Sequence, residues 1–390
     1  MYFRTIPPVG YRVSVKNALR AFFQRYNTNQ KQLYNDIEMA FDSGSAALLF
    51  LLKSLKEQNP KKTQVIVPVY TCYSIAAVIE HAGLEIVLCD LNPDTLDFNY
   101  VELEGYINDK TLAMISTHFF GRKLDYNKLE QIKNATGVII IEDAAQGGHS
   151  ITSLGQSSDF IVTSTGRGKP VSTLGGGYLI TNNNAPGIQL LLEKYKNLAE
   201  RTLVEEVLVL AKILIVNILL NPYLYTIPFS IPYFRIGETI YPETIPIKKL
   251  TKFQQKLFML ENTDRLNSIR NKHIKYYYHK LKHNGSSLQP NLSYSELDSY
   301  TPMRYPVYLS LNIDTDQENT QNKMCKYGIV KMYPTLLSDL NQIKSFCLNF
   351  NKLFPGGNFI VKNLVTLPTH ALLNKHDLEI IVNTTKRVVN

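Results

Sequence analysis

Val138-Ile139-Ile140-Ile141-Glu142-Asp143 is an apolar run that closes on two carboxylates, and Lys169 follows twenty-six residues after Asp143. The lysine stands in Gly166-Arg167-Gly168-Lys169-Pro170-Val171-Ser172-Thr173-Leu174-Gly175-Gly176-Gly177. A short apolar run bounded by turn formers reads as a buried strand. Similar runs recur at Val65–Val67, Ile86–Leu88, Leu112–Ser116, Phe160–Thr163 and Tyr178–Thr181, with helical or turn text between them. Such alternation predicts an α/β fold, with a mainly parallel sheet between helices. Ligands in these sheets bind beyond the carboxyl ends of the strands, which is where Asp143 falls.

Upstream, Phe41-Asp42-Ser43-Gly44-Ser45-Ala46-Ala47-Leu48 passes from small polar residues into an alanine- and leucine-rich helix. The start of a helix presents unbonded N–H groups and the positive end of the dipole, and together these bind phosphate. Ser45 can add a hydroxyl, and so can Ser164, five residues before Lys169. Each feature alone has a plainer reading. A lysine among glycines is a solvated loop residue, an Asp after a strand is a cap or turn former, and Ser before a helix is an N-cap. Together they meet the needs of pyridoxal phosphate chemistry. A lysine amine holds that cofactor as a Schiff base, and a carboxylate keeps its pyridine nitrogen protonated.

These segments, in this order, resemble the DegT/DnrJ/EryC1/StrS family of sugar aminotransferases. The resemblance extends through Val65-Ile66-Val67-Pro68-Val69-Tyr70-Thr71-Cys72, Gly83–Asp90 with Asn92–Leu96, and Thr117-His118-Phe119-Phe120-Gly121 followed by Asp125. It continues at Glu142-Asp143-Ala144-Ala145-Gln146, Arg304-Tyr305-Pro306-Val307 and Leu367-Pro368-Thr369-His370. It implies the pyridoxal-phosphate-dependent transferase fold type I, with a seven-stranded-type sheet and a smaller C-terminal α+β domain. It further implies Lys169 as the cofactor-bearing base and acid, Asp143 on the pyridine nitrogen, and Gln146 near the ring hydroxyl. Gly44, Ser45 and Ser164 would hold the phosphate.

Three places depart from the family pattern. The turn that normally supplies a ring-stacking aromatic has Cys72 between Tyr70 and Tyr73, and Tyr73 is taken as the stacking residue. The stretch before the lysine reads Thr163-Ser164-Thr165-Gly166-Arg167-Gly168 in place of phenylalanines, so the backbone turns more tightly there. Arg167 is either a phosphate contact or a solvated side chain. The family's segment that reaches the partner subunit has two candidate equivalents, Tyr233-Phe234-Arg235 and Ile247-Lys248-Lys249.

At 390 residues the chain can bury a large core, and 44% hydrophobic with 11% aromatic content is globular. The formal charge of +9 favours anionic partners, but no nucleic-acid motif accompanies it and the Arg270–Lys275 cluster reads as a solvated helix face. The four cysteines have no metal-ligand spacing and read as reduced thiols of a cytoplasmic protein, with no metal expected. The start, Met1-Tyr2-Phe3-Arg4, does not read as a signal peptide.

The chain divides into an N-terminal arm over 1–38, with a short helix at Ala18–Tyr26, and a large cofactor-binding domain over 39–249. A linking helix, Leu250 to Leu281, then leads into a small domain within 250–390, where Tyr305–Leu309 and Gly328–Met332 read as strands and Asp377–Arg387 as a helix. The segment 203–235 is an apolar insertion. Its run Val207–Leu220, interrupted only by Lys212 and Asn217, would rise about 21 Å as a helix, short of the roughly 30 Å hydrocarbon core. Arg201, Glu205, Glu206, Lys212, Asn217 and Asn221 fall on one broad side of it. The segment is either a peripheral contact on the inner membrane face or a buried dimer-interface or core helix.

The function implied by the resemblance is transfer of an amino group, with glutamate as donor, to a keto sugar. The sugar would be nucleotide-linked or lipid-linked and destined for surface polysaccharide or glycoconjugate, and the enzyme would be a homodimer. The alternative is a non-catalytic relative, a cofactor-binding or membrane-docked scaffold in polysaccharide or glycolipid assembly.

Overall fold

The computed structural model describes residues 4–23, 37–147, 157–231, 240–261, 263–281, 302–309 and 323–389. In chain order the elements begin with α1 (Val15–Phe23), β1 (Ile37–Phe41), α2 (Gly44–Gln58), β2 (Gln64–Pro68), α3 (Tyr73–His81) and β3 (Glu85–Cys89). Next come α4 (Tyr100–Tyr106), β4 (Thr111–Thr117), α5 (Tyr126–Thr136), β5 (Ile139–Asp143), β6 (Phe160–Ser164) and β7 (Gly177–Thr181). Helices α6 (Ile188–Lys196), α7 (Leu203–Leu219), α8 (Thr226–Ser230), α9 (Lys252–Leu260) and α10 (Thr263–Leu281) follow. The C-terminal part holds β8 (Arg304–Tyr308), α11 (Pro355–Asn363), β9 (Leu364–Pro368) and α12 (Lys375–Val389).

Seven strands form one sheet in the order β1-β7-β6-β5-β4-β2-β3, and β7 alone runs against the others. This is the mainly parallel sheet expected from the sequence. Every residue of β2 and β4 is buried, which is why these strands read as continuous apolar runs and not as alternating ones. Helix α2 buries nearly everything from Ala46 to Leu55, as a helix apolar on all sides must. The seventh strand, β1, falls partly inside the segment read as an arm. It pairs along its whole length with β7, Phe41 opposite Gly177.

The linking helix is not continuous. It breaks between α9 and α10 at Glu261, whose backbone is extended. The N-terminal arm causes the break, because the Glu261 carboxylate accepts hydrogen bonds from the Tyr11 hydroxyl, the Ser14 N–H and the Asn17 amide. A straight helix would carry that carboxylate away from these donors. The reading of Gly328–Met332 as a strand is also corrected, since only Val330 bridges, to Thr366. Gly328 has φ of +70°, and its carbonyl is taken by the Arg304 guanidinium at 2.7 Å. The arm helix is found at Val15–Phe23, and positions 24–26 of the expected span lie outside the described residues, as does Tyr233-Phe234-Arg235.

Candidate active site

The carboxyl ends of β1, β2, β5 and β6 meet at a cavity of about 200 Å³. Gly44, Ser45, Asp143, Gln146, Ser164 and Lys169 all line it, so six residues chosen from four separated segments are brought together. A larger cavity of about 850 Å³ lies beside Asp90–Val101 and α11, but it contains no lysine with a hydroxyl cradle and none of these six residues.

One end of the smaller cavity is the start of α2. Ser43 caps the helix, its hydroxyl accepting from the Ala46 N–H at 3.0 Å. The helix start is pressed against the sheet. A Cβ on Gly44 would lie 3.0 Å from the Thr163 carbonyl oxygen, and one on Gly177 would lie 2.3 Å from the Gly44 nitrogen. The remaining first-turn N–H groups have no carbonyl of their own helix to bond and point along its axis. The Ser164 hydroxyl is held only by long contacts, 3.4 Å to the Gly176 carbonyl and 3.3 Å from the Gly166 N–H. An anion therefore has hydroxyl and backbone donors in reach here.

The Lys169 loop is braced on both sides. Gly168 adopts φ of +82°, a turn that a side chain at that position would strain. Behind the turn the Thr173 N–H bonds the Thr165 carbonyl at 2.9 Å, and both threonine hydroxyls reach the Gly175 carbonyl. From outside, Gln254 on α9 donates to the Thr173 carbonyl at 3.0 Å, and the buried Arg270 on α10 donates to the Pro170 carbonyl. Desolvation pulls the Arg270 guanidinium down to about 10.

Asp143, on the same cavity wall, is buried. Desolvation raises its carboxyl above the usual range, and the Lys169 charge and the Ala145 N–H, at 3.0 Å, act against that rise. Such a carboxylate is short of a cation. A protonated pyridine nitrogen supplies one, so the residues present fit pyridoxal phosphate at both its charged ends. Behind Asp143 lies a buried support. Glu142 accepts from the Ser158 and Tyr126 hydroxyls and lies 2.7 Å from His118 Nε2. The His118 N–H bonds the Asp143 carbonyl at 3.0 Å. Gln146 is pinned at both ends of its amide, accepting from the Phe120 N–H at 3.0 Å and donating to the Tyr333 hydroxyl at 2.8 Å. Its second amide hydrogen remains for a ligand hydroxyl.

Tyr73 is the exception. It does not line this cavity, and its hydroxyl is bonded to Thr335 in the C-terminal part. As the first residue of α3 it turns towards that domain, leaving Cys72, Ser74 and Ile75 on the cavity wall. Arg304 is fully buried and spends its donors on backbone carbonyls of Pro8, Gly328 and Thr366, so it braces the fold. His370 is likewise buried against the Pro7 carbonyl, and desolvation pushes it down to about 3, so it stays neutral. Sequence reasoning missed Ser43, Tyr333 and Arg270. Only Ser43 carried a usable signal, its place directly before an apolar helix. Among the described residues no group of three or more His, Cys, Asp or Glu could hold a metal ion.

A profile of the DegT/DnrJ/EryC1/StrS aminotransferase family matches residues 30–198, which include every one of the six cavity residues. The match spans less than half of the 390-residue chain. Two curated relatives are similar over part of the chain. The spore coat polysaccharide biosynthesis protein SpsC of Bacillus subtilis is 30% identical over 151 residues, 37% of this chain and 38% of that protein. The pleiotropic regulatory protein of Geobacillus stearothermophilus is 30% identical over 128 residues, 31% of this chain and 34% of that protein. The aligned part thus spans little more than a third of these relatives' length. Solved structures match end to end. Helicobacter pylori PseC, an aminotransferase involved in the biosynthesis of pseudoaminic acid, has a TM-score of 0.71 at 16% identity, covering 100% of this chain and 98% of that one. The sugar aminotransferase CalS13 of Micromonospora echinospora has a TM-score of 0.70 at 17% identity, covering 98% and 99%. At such identity the likeness shows the fold alone, the mainly parallel seven-stranded sheet between helices that these structures share.

Proposed function

We propose that this protein is a pyridoxal-phosphate-dependent aminotransferase that moves an amino group from an amino-acid donor, glutamate in this reading, to a keto sugar. The observation that carries the proposal is a single cavity lined by Lys169, by the start of α2 and by the buried Asp143, whose carboxyl is raised by desolvation. Pyridoxal phosphate, when bound, supplies the electron sink that lets the C–H bond beside the donor nitrogen break. Everything else falls to the chain. The start of α2, with Ser45 and Ser164, binds the phosphate and fixes its position. Asp143 keeps a proton on the pyridine nitrogen, and Gln146 bonds the ring hydroxyl. Lys169 Nζ is the attachment point and, once displaced by the donor, the group that carries the proton from one carbon to the other. Donor and acceptor use the cavity in turn, so the kinetics are ping-pong.

The keto sugar is nucleotide-linked or lipid-linked, and its product serves surface polysaccharide or glycoconjugate assembly; the name of SpsC points the same way. The active form is a homodimer, as the fold type I resemblance implies. A cytoplasmic site fits the four unpaired cysteines. A non-catalytic scaffold would leave the buried Asp143 and its Glu142–His118 support without a task.

Borohydride reduction of the purified protein with pyridoxal phosphate, followed by peptide mapping, tests the assignment. The cofactor mass is expected on Lys169, with absorbance that bleaches when an amine donor is added. A label on another lysine, or no cofactor uptake, refutes it.

A further inference from the structure

We propose that the outward faces of α1 and α7, continued by residues 222–231, form a docking surface for an anionic lipid bilayer. The surface is distinct from the Lys169 cavity, so this inference does not rest on the proposed reaction.

Helix α7 buries Ile213, with Val209 and Leu210 packed against the same core, and turns Asn217 and Glu206 inwards beside them. Asn217 brackets the Val13 peptide, accepting from its N–H at 3.0 Å and donating to its carbonyl at 2.8 Å. Glu206 accepts from the Phe253 N–H at 3.1 Å, and Arg201 pairs with Asp42 and Glu205. These are the side chains that would solvate a surface helix, and the protein consumes them. What faces out is Val204, Leu208, Ile215 and Ile218, between 57% and 68% exposed and aligned on one stripe. The stripe runs on into exposed Tyr223, Ile227, Phe229 and Ile231. Beside it α1, which contacts both α7 and α9, shows Val15, Leu19 and Phe23 at intervals of four, Phe23 being 75% exposed. An apolar surface of this extent on a soluble protein marks an interaction site.

Charge selects the occupant. Residues 5–23 and 203–231 contain Arg12, Lys16, Arg20 and Lys212, all exposed, and two acidic residues, of which Glu205 is paired with Arg201 and Glu206 accepts from the Phe253 N–H. A second copy docked two-fold on this surface would set those cations against themselves. An anionic headgroup layer neutralises them while the stripe enters the acyl boundary, with tyrosine hydroxyls left at the wet edge. The helix lies in the plane of the interface. Its 17 residues reach about 25 Å, and among the described residues no helix is long and apolar enough to cross.

The test is flotation of the full chain with phosphatidylcholine vesicles, with and without phosphatidylglycerol, at low and high salt. The chain is expected to float with the phosphatidylglycerol vesicles and to be released by salt. Leu208→Glu with Ile215→Glu abolishes flotation without lowering the melting temperature, since both sites are exposed. Arg12→Gln with Arg20→Gln weakens partition about fivefold per cation. Failure of the intact chain to float overturns the proposal, and so does flotation that survives both pairs of substitutions. Sedimentation showing that Leu208→Glu with Ile215→Glu splits a dimer, while no vesicle binding is seen, assigns the stripe to a second copy instead.

Discussion

Gly177→Ala probes the contact on which the anion-binding end of the cavity depends. The added Cβ would meet the Gly44 nitrogen at 2.3 Å, its Cα at 2.5 Å and the Ser43 carbonyl carbon at 2.6 Å. Ordinary contact is about 3.5–4 Å, so β7 and the start of α2 must separate by roughly 1 Å. All three clashing atoms are backbone, and no side-chain rotation relieves them. Overpacking of this kind costs about 1–3 kcal/mol in stability. The same shift takes a donor at about 2.9 Å from a phosphate oxygen out of hydrogen-bond range. Each charged bond lost is worth about 1.5–3 kcal/mol, a factor of ten or more in affinity. The measurement is cofactor titration in a Lys169→Ala background, where only non-covalent contacts contribute, with thermal melting alongside. Gly105→Ala is the control, because nothing lies within 4 Å of its added Cβ. That change is expected to leave affinity alone and to stabilise by about 0.5–1 kcal/mol. If Gly177→Ala keeps the parent's affinity and melting temperature, the helix start is not held where the phosphate reading requires it.

Asp143→Asn removes a carboxyl that burial holds above its usual range, so the sign of its effect depends on the state measured. Without cofactor the ionised Asp143 costs stability above its raised pKa, and the cost vanishes as pH falls below about 4, where the unfolded chain also protonates. The variant apo protein should therefore melt higher than the parent at neutral pH, with the gap closing in acid, and a gap that widens in acid contradicts the assignment. With cofactor the same variant should bind it yet lose most turnover, since Asn supplies no charge. Arg270→Met withdraws the donor on the Pro170 carbonyl and should weaken cofactor affinity about tenfold by loosening the Lys169 loop; parent-like affinity would make Arg270 a brace of α10 alone. Sedimentation at micromolar concentration should show at least two chains, and an active monomer would contradict the proposed dimer.

Legibility in the sequence followed the range of the interactions involved. The central strands could be read because parallel strands buried on both faces leave an unbroken apolar run, as in β4. Strand β1 hides because Ile37-Glu38-Met39-Ala40-Phe41 sits at the sheet edge with its first two residues half-buried. The break at Glu261 is invisible because its cause, the donors on Tyr11, Ser14 and Asn17, comes from some 250 residues away in the chain. Among the cavity residues, Gly44, Ser45, Asp143, Gln146, Ser164 and Lys169 stand in motifs that the sequence displays in chain order. Tyr333 and Arg270 arrive from other elements with no spacing to Lys169, and Tyr73 was misplaced because its bond to Thr335 is long-range too. Helix α7 shows a different limit. Periodicity grouped Lys212 with Glu206 and Asn217, yet Lys212 is exposed while the other two bond the protein, and Ile213 is buried beside them.

The long-range bonds that escaped the sequence also fasten the C-terminal part to the large sheet. Tyr333 reaches Gln146, Thr335 reaches Tyr73, and the Leu337 N–H bonds the Val69 carbonyl at 2.9 Å. Asp90 accepts from the Gly356 and Gly357 N–H groups at 2.9 and 2.7 Å, fastening the start of α11 to the end of β3. Each of these contacts joins the C-terminal part to a strand end of the large sheet. Strand ends of the sheet therefore place Asp143 and Ser164 on the cavity, and the C-terminal part adds Tyr333 to the same wall.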